Sequence, residues 1–119
     1  LRQAALAAKQ GDLEAAALAY AFVAADAGAP SILRDLAKVR SVATRLETVD
    51  LAELEPLLDS VSGVGNPWRP LALELKGVLA VKTGDVAAAR EIFAGLADAA
   101  ETPTGMRARA AEVLKALGN

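Results

Sequence analysis

Three acidic residues at close spacing, Asp50, Glu53 and Glu55, form the stretch of this chain best suited to chemistry. Carboxylates act as acid and base when their surroundings push their proton affinities apart, so they permit a carboxylate-based hydrolase. The competing reading is a helix start, where acidic side chains meet the positive end of the helix macrodipole. The second reading is preferred, because the chain contains no histidine and no cysteine. Those residues supply the usual general base at neutral pH and the commonest metal ligands. Ser60–Gly65 (SVSGVG) has the glycines of a phosphate loop but lacks its lysine and preceding strand, so it reads as an interhelical loop. We expect no catalytic residue, no cofactor and no metal site.

Composition points to a packed helical domain. The chain has 119 residues, 54% hydrophobic and 24% charged, with a net charge of -2 and only 3% aromatic residues. That is one domain with a real core and no field that would recruit nucleic acid. Alanine fills much of the apolar fraction, which implies helices that approach closely. Without cysteine there is no disulfide framework, and the compartment stays open. No run has the length of a membrane span. The sequence opens at Leu1 directly in a helical pattern. We therefore expect a piece of a longer protein, with any anchor or targeting segment upstream.

The apolar spacing predicts seven helices and no strands. They cover 1–9, 13–27, 32–47, about 51–61, 67–82, 85–99 and 103–117. Glycine and aspartate punctuate them at Gly11-Asp12 and Gly84-Asp85, with glycine for a left-handed turn and aspartate as a cap. Ser31 is the expected cap of the third helix. Asp50 with Glu53 resembles a capping box for the fourth, in which Pro56 bends the helix or delays its regular start. Asn66-Pro67 reads as a cap followed by a proline at the first helical position.

The turns repeat. Asp12, Asp50 and Asp85 are 38 and 35 residues apart, close to the roughly 34-residue period of a tetratricopeptide repeat. Four residues after each aspartate stand Ala16, Leu54 and Ala89, and four further on Tyr20, Leu58 and Phe93. A small residue lets two helices approach, and the larger one fills the space below the next pair. With Gly77 and Ala80 on the preceding helix, the hairpin over 72–93 carries this pattern most completely. In this the chain resembles the tetratricopeptide family. The expected fold is all-α, with about three hairpins (approximately 1–30, 31–66 and 67–101) in a right-handed superhelical stack. A capping helix over 102–117 closes it. The pattern departs from the family where Leu73 replaces an aromatic residue, where Pro103 arrives late, and where the second copy lacks both glycines.

The segment 65–117 also resembles the C-terminal half of a bacterial tetratricopeptide-like family, the YfgM-like ancillary subunits of the Sec translocon. That resemblance implies one N-terminal membrane anchor, a periplasmic helical domain and a role in handling exported proteins. The alternative is a cytoplasmic adaptor or oligomerisation module.

Binding residues follow from the same alignment. The first helices of copies two and three would line a groove through Leu36, Val39, Ala43 and Leu46, then Leu71, Glu74, Val78, Val81 and Lys82. Such an apolar surface suits a hydrophobic peptide or helix, or the protein's own terminal helix. It would equally suit packing against a segment upstream. Trp68 either plugs the seam between copies two and three or stands exposed as a binding anchor. The expected partner is a protein or peptide, with no nucleic acid.

Overall fold

A computed structural model describes residues 13–46 and 53–118 of the chain. Among these residues there are six α-helices and no strand. They are α1 (Leu13–Ala25), α2 (Ser31–Arg45), α3 (Glu55–Asp59), α4 (Arg69–Lys82), α5 (Val86–Asp98) and α6 (Thr104–Ala116). The all-α expectation holds. The helix expected over 1–9, together with Gly11, Asp12 and Asp50, lies outside the described residues.

The helices pack on their sequence neighbours. α1 lies against α2, α4 against α5, and α5 against α6, while the short α3 touches α2 and α4. α2 and α4 also meet directly. Two apolar clusters result. The first joins Val39 and Val42 of α2, Leu54, Leu58 and Val61 around α3, and Ala72 and Leu79 of α4. The second joins Ala80 of α4, Ala89, Phe93 and Leu96 of α5, and Met106 and Ala110 of α6.

The α4–α5 hairpin shows how local chemistry fixes a turn. Gly84 has φ +85°, a left-handed conformation that disfavours any side chain with a Cβ. Its N–H donates to Val81 O at 3.1 Å, and the Asp85 N–H donates to Ala80 O at 2.8 Å. Those two bonds satisfy carbonyls that the end of α4 would leave bare. Asp85 then opens α5 by accepting from the Ala88 N–H at 3.1 Å. One residue thus closes a helix with its backbone and starts the next with its side chain.

The residues that the repeat pattern matches are all in the interior. Ala16, Leu54 and Ala89 are fully buried, and so are Tyr20, Leu58 and Phe93 to within a few per cent. Gly77 and Ala80 are buried on the face of α4 turned towards α5.

Several expected boundaries move. The fourth helix is only α3, five residues long, starting at Glu55 with Pro56 in its first turn. Its N-cap is Leu54, which offers no side-chain bond, so the expected capping box does not start it. Proline's missing N–H costs least in a first turn, which explains the delayed start. Ser31 is likewise not a cap: it is already helical, and Pro30 precedes it. Asn66 does not cap a helix that continues into Pro67. Its side chain accepts from the Trp68 N–H at 2.9 Å, and α4 begins two residues after Pro67 with Pro70 in its opening turn.

Candidate functional site

The expected groove set divides by depth. On α2, Val39 is 1% exposed in the first cluster, so it faces the core instead of a groove. The reason is geometric: α2 has α1, α3 and α4 as neighbours and little of its apolar stripe is left over. Leu46 is half-buried against the same cluster, Leu36 is half-buried, and Ala43 is exposed.

On α4, Leu71 packs against both clusters and Val78 against the second. Val81 is 41% exposed, and Lys82 is exposed at the helix end. Glu74 is held by the last helix. The Arg109 guanidinium donates to both of its carboxylate oxygens, at 3.0 and 3.2 Å. A hydrogen bond from Arg109 to Glu74, and then the carboxylate's charge, raise the affinity of this guanidinium for its proton. This fork ties α6 to α4 beside Val78. Residues assigned to a partner surface are thus largely engaged by the protein's own helices.

Trp68 occupies the seam. Its indole Nε1 donates to Ile32 O of α2 at 2.8 Å, and its ring packs on the first cluster. Its neighbour Asn66 donates from Nδ2 to Asp35 Oδ2 of α2 at 3.2 Å. Between the two readings of this residue, the geometry is that of a plug joining α2 to the start of α4.

Of Asp50, Glu53 and Glu55, only the two glutamates lie among the described residues, and both are at the surface. Glu53 is exposed and pairs with Arg45 at 3.5 Å, and Glu55 is exposed at the start of α3. Among the described residues no group of three or more acidic side chains gathers at metal-binding distance.

Two features escaped sequence reasoning. The first is an exposed apolar face at the N-terminal end of the described fold. Phe22 is 78% exposed and Leu18 69%. They stand one turn apart on the side of α1 opposite Ala16 and Tyr20, because two residues of helix turn the face by about 200°. Ile32 and Leu33, at the start of α2, are 46% and 44% exposed. A signal was present, since Glu14 is the one charged residue in the sequence of α1 and so apolar a helix is normally covered over most of its surface.

The second is a cavity of about 300 Å³ between the start of α4, the last turns of α5 and the α5–α6 loop. Leu73, Ile92 and Leu96 are among its apolar walls, and Arg69, Glu91 and Glu101 are its charged residues. Arg69 spans its edge, donating to Ser62 O at 2.8 Å and pairing with Glu101 at 3.3 Å. No short motif encodes such a space, because it arises only where three elements meet.

Comparison of the chain with protein-family models, with curated proteins and with solved structures finds no match.

Proposed function

We propose that this chain is a tetratricopeptide-like module that binds a protein partner through a preformed surface, without covalent chemistry or a cofactor. The described helices pack on their sequence neighbours, and the matched positions Ala16, Leu54, Ala89, Tyr20, Leu58 and Phe93 are all buried. Both fit a right-handed stack of about three hairpins closed by α6.

The observation that carries the binding reading is the face formed by Leu18 and Phe22. A large aromatic ring 78% in water, on a helix whose other side is core, is the kind of exposed apolar surface that partners cover. Taken with the resemblance to ancillary translocon subunits, the partner would be an extended or unfolded exported chain. The module would then stand on the periplasmic side of a membrane anchor. No described helix is long and apolar enough to cross a membrane, so the anchored reading requires an apolar span of about 20 residues elsewhere in the protein.

The test is capture of a reduced and alkylated, permanently unfolded protein by immobilised wild-type chain and by the double variant Leu18→Asp, Phe22→Asp. Both positions are exposed, so the helical circular dichroism should be retained. A loss of at least roughly tenfold in affinity, about 1.4 kcal/mol, is expected. Equal capture by a folded double variant would reject this face as the site. Sedimentation of both proteins separates a partner surface from self-association, because the oligomerisation reading requires the wild type to be larger.

A further inference from the structure

The cavity beside α5 has features that packing alone does not account for. Gly95 lines it, near the end of α5. A Cβ placed on Gly95 would meet no atom within 4 Å, and its backbone is not in the left-handed region. Glycine weakens a helix interior relative to alanine. Neither a close approach nor a turn requires it here. Its effect is to leave the cavity open.

Thr102 is a second such feature. It also lines the cavity, is 2% exposed, and its Oγ1 is buried with no hydrogen-bond partner. A buried hydroxyl that finds no partner is a cost to the fold, and natural structures leave few of them.

The charges then choose the ligand. Arg69 is already engaged by Glu101 and by Ser62 O. Glu91, exposed on the cavity wall, has no ion-pair partner among the described residues. An apolar floor of Leu73, Ile92 and Leu96 beside the Glu91 carboxylate favours an apolar body followed by a cation.

We propose that this cavity takes one large aliphatic or aromatic side chain of a partner peptide whose next residue is basic. The side chain would rest on Leu73, Ile92 and Leu96, and the basic residue would reach Glu91. This rests on the protein-binding reading and specifies its partner: a segment with an adjacent apolar–basic pair, bent so that both side chains face the cavity.

The experiment titrates the full 119-residue chain with three capped tetrapeptides up to ~5 mM, a range suited to single-residue anchors. They are acetyl-Ala-Leu-Lys-Ala-amide and the same peptide with Glu for Lys or with Ala for Leu. Amide NMR signals of Gly95, Leu96 and Thr102 are followed. The Leu-Lys peptide should give saturable shifts at these three amides. The Leu-Glu peptide should bind at least fivefold more weakly, and the Ala-Lys peptide should not saturate.

Gly95→Leu fills the space and should abolish the shifts while the chain stays folded. Glu91→Gln, an exposed change that keeps the fold even if Gly95→Leu does not, should remove the preference for Lys over Glu. Equal shifts with the Leu and Ala peptides, no shifts at these amides, or an unchanged lysine preference in Glu91→Gln would each overturn the proposal. If the peptides fail while capture through Leu18 and Phe22 persists, the cavity assignment falls and the protein-binding reading stands. If capture fails as well, both fall.

Discussion

Gly77 and Phe93 are in contact across the α4–α5 hairpin so closely that a methyl group at Gly77 would lie 2.6 Å from two carbons of the Phe93 ring. Phe93 is 2% exposed, with α6 behind it through the second cluster, so the ring has no free space into which to retreat. Glycine at one helix and a ring at the next are therefore one device. Gly77→Ala should destabilise the chain by about 1–3 kcal/mol through overpacking. Phe93→Ala should cost about 3–5 kcal/mol. Phe93→Leu in the Gly77→Ala background should recover part of the loss, and urea midpoints of wild type, Gly77→Ala, Phe93→Leu and their double variant would reveal that coupling. Strict additivity would mean that the two residues do not touch.

The turn after α4 gives a comparison between two glycines. Gly84 needs its left-handed backbone, whereas Gly63 has neither a positive φ nor any atom within 4 Å of a Cβ. Gly84→Ala should cost about 1–2 kcal/mol, and Gly63→Ala should be neutral or slightly stabilising by its effect on the unfolded chain. Asp85→Ala should remove about 1 kcal/mol with the cap. Equal midpoints for the two glycine variants would refute the assignment of strain to Gly84.

Trp68 is the sole tryptophan of the chain. Trp68→Phe keeps most of its packing and removes the bond to Ile32 O. The expected loss is about 1 kcal/mol. In the wild type, indole fluorescence should shift to longer wavelength on unfolding, since the ring is packed on the first cluster. An emission maximum already at the fully solvated position in the native chain would contradict the seam.

Arg109 sets a sign for pH dependence. Its folded affinity for a proton is raised, first by the hydrogen bond to Glu74 and then by that carboxylate's charge. A raised folded value contributes stability that is fully present below the ordinary value for arginine and is lost only as pH rises through the still higher folded one. Between about pH 6 and 9 the guanidinium stays charged in both states. The difference in thermal midpoint between wild type and Arg109→Lys attributable to this group should therefore be flat across that range. A difference that changes sign within it would assign the effect to another group.

The parts of this structure legible in the sequence were those set by helical period and turn chemistry. Ala16, Tyr20, Ala89 and Phe93 could be assigned to the core because spacing alone puts them on one face, and Gly84-Asp85 could be read as a turn from residue type. Extent was less legible where a local signal had a rival. The pattern of Asp50 and Glu53 predicts a helix from about residue 51, whereas α3 starts at Glu55 with Pro56 in its first turn. The repeat position of Val39 predicts a place in the groove, whereas the three neighbours of α2 draw it inside. The face of Leu18 and Phe22 is hidden by alanine: a helix with Glu14 as its one charge has no polar stripe to betray which side stays uncovered. The cavity at Gly95 is purely tertiary, and only its unexplained helix glycine left a trace in the chain.

α4 belongs to both cores. It gives Ala72 and Leu79 to the first and Ala80 to the second, and Leu71 touches each. Apart from that helix, the two clusters are built from different elements. Cooperativity along the chain must therefore pass through a single beam, and loosening one residue of it should let the two ends melt apart. Leu71→Ala is expected to separate the fluorescence transition of Trp68 from the far-ultraviolet transition of the whole chain, where the wild type shows one. Amide exchange would then rank α2 and α3 as quicker to open than α5 and α6, giving a small protein two thermodynamic halves joined at one leucine.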